Sequence, residues 1–373
     1  MIGGGSFGGW SALAMLRLGA GVTLVDRWGP GNARASSGGE TRLIRATYGP
    51  DLTYTRMAAL ALELWKKNEA AWGRQLYHRT GLVWLSTGED DSYERSSSHN
   101  LDVCGIAHRL MTPAEAAARF PQINFDGVRS VIYESEAGYL SARIACQTVL
   151  ESLITEGGRY LQAHVEPGPI SGGKMDGVRL SDGTSVIADH YVFACGPWLG
   201  RIFPDQVGDL IVPTRQEVFF FGTTAGDHRF DEDQMPAWIE HGAGFKYGMP
   251  GNLGRGFKVA DDARGPRFDA TDGDRVTTAE GLSGARDYVA FRFPGLASAP
   301  LVDARVCQYE DTPDHHFIID KLPGADNAWI LGGGSGHGFK HGPAVGEMAA
   351  NMILEGTRPE HQFMFSRFTR GAV

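Results

Sequence analysis

The sequence opens on a cluster of glycines that strongly limits what its first segment can form. Gly3, Gly5 and Gly8 have the spacing G-x-G-x-x-G, which permits a tight turn, close approach of the backbone to a pyrophosphate, and close packing of a helix on a strand. A predicted helix follows, and then an apolar strand over residues 21–26 that ends at Asp26. At that position Asp26 can accept hydrogen bonds from ribose hydroxyls. This order of turn, helix, strand and acid predicts a dinucleotide-binding unit.

The first strand of this predicted unit is nearly absent, since only Met1 and Ile2 precede the glycines. Two explanations stay open at this point: the start has been trimmed, or the sheet tolerates a strand of two residues. The phosphates are expected at the N-terminus of the first helix, where free N–H groups and the helix dipole favour an anion. The glycine motif alone does not distinguish FAD from a nicotinamide dinucleotide.

Composition limits the other functional classes. The 35 Lys and Arg residues against 44 Asp and Glu residues give a net charge of −9 without a long basic run, which argues against a nucleic-acid partner. The four cysteines lie far apart and lack zinc-binding spacing, as is usual in a reducing compartment. No apolar stretch approaches the roughly 18 residues of a membrane helix, and the start does not resemble a signal peptide. We therefore expect a soluble, cytoplasmic protein without a metal site or a membrane partner.

The pattern of helices and strands predicts two domains, each assembled from separated segments. Residues 1–80, 137–210 and 306–373 alternate apolar strands with helices, as in a Rossmann-like α/β domain. Residues 81–136 and 211–305 contain strand-like segments between polar loops rich in Asp, Arg and Gly. These segments predict an inserted substrate domain of α+β character, built on a mainly antiparallel sheet.

Three further segments resemble the monomeric sarcosine oxidase family. They are residues 36–48 (SSGGETRLIRATY), 305–320 (RVCQYEDTPDHHFIID) and 334–340 (GSGHGFK). The family comprises amine-oxidising flavoproteins of the D-amino-acid-oxidase type, N-methyltryptophan oxidase among them. The resemblance is collinear and covers nearly the whole chain. It implies that the α/β domain binds FAD, and that the C–N bond of an amino acid or N-substituted amino acid is oxidised to an imine by hydride transfer to the flavin, with O2 reduced to H2O2.

Cys307 matches the family cysteine whose sulfur is joined to the 8α-methyl group of the flavin. A thiolate is a suitable nucleophile for that position, and the resemblance therefore implies covalent FAD. Without the surrounding motif, a buried cysteine acting as a small apolar side chain is the commoner explanation.

Lys258 matches the family lysine that faces the flavin and promotes its reaction with O2. A fixed cation in a dry pocket stabilises the negative charge that develops on oxygen. Arg42 and Thr41 match positions beside the flavin ring, where an arginine would favour hydride acceptance. Taken alone, Lys258 is equally described as an ordinary surface lysine.

Arg45 and Lys340 match the family pair that holds the substrate carboxylate, although 295 residues separate them in the sequence. An arginine fork and a lysine point charge suit a carboxylate. Tyr247 and Tyr309 match aromatic positions that line the substrate pocket; packing in the core or at its rim is the alternative. The implied substrate is an amino acid or amine that carries a carboxylate.

The glycine run 332–338 has its own physical rationale, since glycines let the backbone approach a flat flavin ring. A helix that starts near Pro343 could direct its positive end towards that ring. Val165 matches a position whose backbone contacts the flavin in related enzymes. The motif and the resemblance together give the candidate cofactor-binding residues Gly3, Gly5, Ser6, Gly8, Asp26, Arg27, Ser36, Thr41, Arg42, Val165, Cys307, Gly334, Gly336, His337, Gly338, Phe339 and Lys340.

Two positions depart from the sarcosine-specific members of the family, which have histidines where this chain has Gly38 and Asp262. The glycine is expected to widen the pocket for a bulkier substrate, and the acid could favour a cationic one. Two other functions stay open: a flavin-dependent dehydrogenase with an acceptor other than O2, and a catalytically idle flavin-binding protein. The sequence does not name the amine, its stereochemistry or the oligomeric state.

Overall fold

The structure of the protein, a computed structural model, describes residues 1–368. The last five residues of the predicted 306–373 segment lie outside this range. Within residues 1–368 the chain forms eight α-helices, which are α1 Ser6–Arg17, α2 Leu52–Trp72, α3 Ser92–Val103, α4 Pro113–Arg119, α5 Ala142–Thr155, α6 Leu199–Ile202, α7 Ala279–Arg292 and α8 Gly342–Glu355.

The β-strands of the same part of the chain are β1 Thr23–Asp26, β2 Thr41–Ile44, β3 Tyr77–His78, β4 Leu82–Ser86, β5 His108–Met111, β6 Ser130–Glu134, β7 Gly138–Ser141, β8 Arg159–Gln162, β9 Val165–Pro167, β10 Ile170–Ser171, β11 Lys174–Met175, β12 Val178–Leu180, β13 Ser185–Val186, β14 Tyr191–Phe193, β15 Val212–Phe221, β16 Ala237–His241, β17 Phe245–Met249, β18 Phe257–Asp261, β19 Leu301–Asp311, β20 Ile318–Lys321 and β21 Ala328–Gly332. Most of them belong to two main sheets; the hairpin of β10 and β11 and two three-stranded sheets, one of β13, β12 and β9 and one of β2, β7 and β3, complete the architecture.

Met1 and Ile2 lie in the middle of the first sheet. Ile2 forms parallel bridges to Val25 of β1 and to Phe193 of β14, and its N–H and C=O each take part in a 2.8 Å hydrogen bond with the segment around Phe193. The order is therefore β8, β1, the Met1–Ile2 pair, β14, β21 and β20, with β20 alone antiparallel to its neighbour. Two residues thus suffice to join the two halves of the sheet.

The second sheet contains eight strands in the order β19, β15, β18, β17, β16, β4, β6 and β5. All neighbours are antiparallel except β4 and β16. A Rossmann-like α/β part combined with a mainly antiparallel sheet confirms the predicted fold class. The division into two discontinuous domains stays a prediction; its boundary after residue 305 runs through β19, which pairs with β15 along its whole length.

The two faces of this second sheet have different neighbours, because side chains alternate along a strand. Phe257 and Val259 of β18 pack in a core with Tyr288 and Val289 of α7. Lys258, between the first two, points to the opposite face. The sheet therefore presents one apolar face to α7 and a second face to the nucleotide-binding part of the molecule.

Two elements differ from the sequence-based expectation. Residues 211–305 were expected to contain strands and loops, yet α7 lies among them; two glycines and scattered charges hide its helical periodicity. The apolar residues at 160–165 predict one strand that ends at Val165, but Val165 begins β9, and β8 stops at Gln162. Of the helices within residues 1–368, none is both long and apolar enough to cross a membrane.

Candidate active site

A cavity of about 1530 Å³ separates the glycine turn and helix α1 from the free face of the eight-stranded sheet. Except for Gly8 and Thr41, every candidate residue of the sequence analysis lines it. The residues come from both ends of the chain and from the middle, so the folding of the two sheets brings them together. Their individual roles stay predictions.

The glycine turn is as tight as the motif requires. Gly3 has φ +100°, and a Cβ atom on it would lie 2.3 Å from the carbonyl oxygen of Ala194. A Cβ atom on Gly8 would lie 1.9 Å from the carbonyl oxygen of Gly3. Gly8 therefore acts by letting α1 pack on the turn, which explains why it lies behind the cavity wall.

The carboxylate of Asp26 organises the same turn. Its Oδ2 atom accepts a 2.7 Å hydrogen bond from the N–H of Gly4, and its Oδ1 atom accepts from the N–H groups of Trp28 and Gly29 at 2.9 and 2.7 Å. A carboxylate can accept about four hydrogen bonds, so a ribose hydroxyl can still be bound. The next residue, Arg27, places its guanidinium 4.7 Å from the ring centre of Trp28.

Ser6, the first residue of α1, connects the two glycine-rich segments of the chain. Its Oγ donates a 2.8 Å hydrogen bond to the carbonyl oxygen of Phe339, and its N–H donates to Oγ of Ser37 at 2.9 Å. Ser37 was not among the predicted site residues, although it lies within the segment SSGGE that carries part of the resemblance. The N-terminus of α1 and residues 334–339 therefore form one continuous wall of the cavity.

Lys258 is the buried cation of the sheet face. Its side chain is 4% exposed, and Nζ donates a 3.1 Å hydrogen bond to the carbonyl oxygen of Thr41. Burial, with a contribution from the positive charge of Arg42, lowers the pKa of Lys258 to about 7. Thr41 thus contributes through its backbone, and its side chain stays outside the cavity.

Arg42 and Gly38 together shape the loop beside Lys258. The Arg42 guanidinium donates to the carbonyl oxygens of Thr41 and Ser36 at 3.0 and 2.9 Å, and to that of Gly38. The expectation that Gly38 widens the pocket is wrong. A Cβ atom there would lie 2.4 Å from the carbonyl oxygen of Asn32, so the glycine makes room for the neighbouring loop.

Arg45 and Lys340 converge on one aromatic ring. Cζ of Arg45 lies 4.6 Å and Nζ of Lys340 5.3 Å from the ring centre of Tyr48, as expected for cations over a π face. Nζ of Lys340 also donates a 2.7 Å hydrogen bond to the carbonyl oxygen of His337. Burial, followed by the charge of Arg45, holds the pKa of Lys340 well below its ordinary value. An anionic ligand beside these two basic groups would favour their charged forms.

Tyr247 and Tyr309 belong to a hydrogen-bonded chain. Their hydroxyl oxygens lie 3.1 Å apart, and the hydroxyl of Tyr309 donates to Oδ1 of Asp262 at 2.8 Å. Arg264 continues the chain, with Nη1 2.6 Å from Oδ2 of Asp262 and Nε 3.0 Å from Oδ1 of Asp311. Sequence reasoning missed Arg264 because only the fold places it against Tyr309.

Cys307 and Glu310 both belong to β19, and both line the cavity. Cys307 is half-buried, unpaired, and opposite Gln216 of β15. Glu310 was not predicted; Ser36 Oγ donates to its Oε2 at 3.2 Å, and burial raises the pKa of its carboxyl to about 7. The sequence offered one indication of Glu310, because this acid directly follows the candidate Tyr309 in a strand that carries other candidate site residues.

The glycines of the 334–339 run make room for these strand side chains. A Cβ atom on Gly336 would lie 2.8 Å from the ring of Tyr309, and one on Gly334 3.0 Å from Oε1 of Glu310. His337 within the run is held by a 3.1 Å contact between its Nε2 and the carbonyl oxygen of His315. Burial and the charge of Lys340 keep the pKa of His337 well below its usual value.

Comparison with known proteins identifies a family and relatives with similar sequences. The sequence model of the DAO family, described as FAD dependent oxidoreductase, covers residues 1–352. The chain is 29% identical to the monomeric sarcosine oxidase of Bacillus sp. (strain B-0618), over 100% of this chain and 96% of the relative. It is 27% identical to the N-methyl-L-tryptophan oxidase of Salmonella heidelberg (strain SL476), over 99% and 98% of the two chains.

A solved structure shares the same fold. The L-proline dehydrogenase from P. horikoshii aligns with a TM-score of 0.88 over 100% of this chain and 97% of its own, at 22% sequence identity. At this level of identity the alignment concerns the arrangement of helices and strands.

Proposed function

Since the chain belongs to the DAO family of FAD-dependent oxidoreductases, we propose that it oxidises the C–N bond of an amino acid or N-substituted amino acid to an imine. The proposed electron acceptor is O2 and the proposed second product is H2O2. The observation that carries this proposal is the convergence of Arg45 and Lys340 on the ring of Tyr48, inside a cavity whose other wall holds Lys258.

The cavity fits FAD together with a small substrate. Its volume of about 1530 Å³ exceeds the ~300–1,000 Å³ of a typical single-ligand site. Gly3, Gly5 and the N-terminus of α1 form a cradle that a Cβ atom would obstruct and that suits a pyrophosphate. Asp26 is placed for the ribose. When bound, FAD supplies the acceptor for a hydride and thus for the two electrons of the oxidation.

Arg45 and Lys340 would bind the substrate carboxylate. An arginine offers two parallel N–H donors and a lysine adds a compact charge. Lys340 is buried and Arg45 half-buried, which strengthens their attraction for an anion because little water competes for them. The named substrates of the two curated relatives, sarcosine and N-methyl-L-tryptophan, are both N-methylated amino acids, which supports an N-substituted amino acid here.

Lys258 would promote the reaction with O2. Its ammonium group is fixed by the carbonyl oxygen of Thr41 and shielded from water. A preorganised cation of this kind stabilises negative charge that develops on oxygen, without a cost for reorienting solvent.

Cys307 would hold FAD covalently. Its thiol is unpaired and borders the cavity on a strand that also carries Tyr309. Cys104, Cys146 and Cys195 are unpaired as well, which supports the proposal that the enzyme works in a reducing compartment such as the cytoplasm.

The test is an anaerobic screen of the purified yellow protein against amino acids, N-methyl amino acids and cyclic imino acids. Bleaching of the flavin absorbance by one of them, followed by H2O2 release when air is admitted, is the expected result. Bleaching without peroxide formation would replace the oxidase with a dehydrogenase that uses another acceptor. Bound flavin that no member of the panel bleaches would indicate a catalytically idle flavin-binding protein.

A further inference from the structure

The carboxyl group of Asp262 is a half-buried acid that borders the cavity and has no part in the function proposed above. It follows β18, and the backbone N–H of Asp262 is fixed by a 2.8 Å hydrogen bond to the carbonyl oxygen of Phe245. Its side chain is 24% exposed, and that exposure faces the cavity. The position is therefore rigid and reachable by a ligand in the cavity.

The charges around Asp262 leave it with a surplus of negative charge. Arg264 lies 2.6 Å from its Oδ2, but the same guanidinium also pairs with Asp311 at 3.0 Å. One cation thus serves two carboxylates. His315 lies 3.7 Å from Asp311 on the exposed side, and the neighbouring Asp261 has its own partner in Lys246 at 2.7 Å. The nearest groups on the cavity side are the neutral hydroxyls of Tyr309 and Tyr247.

The cavity therefore has two poles of opposite charge. Arg45 and Lys340 form the cationic pole, and Asp262 interacts electrostatically with both of them. Burial raises the pKa of Asp262, although Arg264, Tyr309 and Arg45 oppose the shift. A zwitterionic amino acid can direct its carboxylate to one pole and its ammonium group to the other.

We propose that Asp262, through Tyr309, binds the ammonium group of the substrate and takes its proton before the C–N bond is oxidised. The inference rests on the proposed function, because an ammonium has no lone pair to form an imine until it loses that proton.

The proton transfer balances within the residues described. An N–H bond of the ammonium breaks, and its electron pair stays on nitrogen. The proton joins Oη of Tyr309 as the hydroxyl proton of Tyr309 moves to Oδ1 of Asp262, 2.8 Å away. The products are a neutral amine and a neutral carboxylic acid, and no electrons are transferred in this step.

The first test measures recognition of the ammonium group without turnover. α-Aminoisobutyrate carries an ammonium and a carboxylate but no α-hydrogen, and isobutyrate lacks the amine. Titration of the FAD-loaded protein with each ligand, followed by the flavin spectrum, gives their relative affinity. Asp262→Asn should weaken binding of α-aminoisobutyrate about tenfold or more, as for loss of a charge-assisted hydrogen bond, and leave isobutyrate binding unchanged or tighter.

The second test measures the proton transfer. In the wild type, the rate of anaerobic flavin reduction should rise with pH as one group ionises. This ionisation should have a pKa below that of the free substrate ammonium. In Asp262→Asn this ionisation should move up towards the value of the free substrate. Tyr309→Phe, which keeps the ring and removes the relay hydroxyl, should shift it in the same direction.

Asp261→Asn is the matched control, since it removes a neighbouring carboxylate that faces Lys246; it should leave both measurements unchanged. In Asp262→Asn, Arg264 keeps Asp311 as its partner, so no buried cation is left without a partner.

An unchanged affinity ratio and an unchanged pH profile in Asp262→Asn would overturn the inference. If no amine reduces the flavin while the affinity ratio still changes, the proposed oxidation fails and the ammonium site stands. If Asp262→Asn weakens only the binding of ligands with a cationic side chain, Asp262 binds that side chain and not the ammonium group of the amino acid.

Discussion

The ammonium group of Lys258 donates a 3.1 Å hydrogen bond to the carbonyl oxygen of Thr41, so a residue of the eight-stranded sheet is fixed to the first residue of β2. This contact holds a buried cation at the boundary of the two parts of the site. It gives the first prediction a defined geometry.

Lys258→Met should slow the reaction of reduced flavin with O2 by roughly 100-fold, the magnitude found for loss of one preorganised electrostatic group. Reduction by substrate should change far less, because the carboxylate-binding pair stays in place. Stopped-flow measurement of the two half-reactions separates the effects. Lys246→Met, on the face of the same sheet that packs against α7, serves as the control. Equal losses in both half-reactions would contradict the role of Lys258.

Arg45→Met should raise the KM for the substrate by about tenfold or more, with a smaller change in kcat. The reason is the loss of the planar fork, which leaves Lys340 as the sole member of the pair. Steady-state kinetics checks this expectation, with the exposed Arg95 replaced by Met as the control. A fall in kcat without a change in KM would exclude carboxylate binding by Arg45.

Cys307→Ser should release the flavin when the protein is denatured in acid. A thioether bond to FAD survives denaturation, so the wild-type pellet should stay yellow while the Cys307→Ser pellet loses its colour to the supernatant. Cys104→Ser, whose sulfur lies away from the cavity, should behave like the wild type. A colourless wild-type pellet would show that FAD is bound without a covalent link.

Glu310→Gln should change stability in a pH-dependent way. Burial raises the pKa of Glu310 to about 7 from its ordinary value of 4.5, so the folded chain holds a proton that the unfolded chain releases between these two values. The contribution of Glu310 to the free energy of unfolding therefore falls as the pH rises through this window. At pH 8 Glu310→Gln should be more stable than the wild type by about 1–3 kcal/mol.

At pH 5 the carboxyl group of Glu310 in the folded wild type is neutral, as is the amide that replaces it in the variant, and the gain should nearly vanish. Urea unfolding at the two pH values, with the same FAD content in both proteins, checks the sign. A gain that is larger at pH 5 than at pH 8 would show that Glu310 is charged in the folded protein.

The local sequence pattern was sufficient to predict the elements and residues whose structural requirements act over a few residues. The spacing of Gly3, Gly5 and Gly8 predicts a turn that the structure contains, because the requirement for φ > 0 and for missing Cβ atoms acts within a few residues. The same holds for Asp26 at the end of β1. Helix α7 escaped prediction because its glycines and mixed charges carry no apolar periodicity.

Residues that meet across sheets could not be found from pattern alone. Arg45 and Lys340 were paired through family resemblance, and nothing in the 294 residues between them encodes the contact. The partnership of Asp262, Tyr309 and Arg264 depends on the register of β18 and β19 on either side of β15. Gly38 was misjudged because the space around a glycine depends on a loop that folds over it.

The hydrogen bond from Ser6 to Phe339 spans 333 residues, and it has a consequence for biosynthesis. During translation, the glycine turn leaves the ribosome long before the strand and loop that complete its wall. Such long-range closure makes folding slow relative to proteins built from local contacts. A nascent chain that carries only the first glycine cluster therefore lacks half of its nucleotide site, and stable capture of the cofactor should follow release of the finished chain.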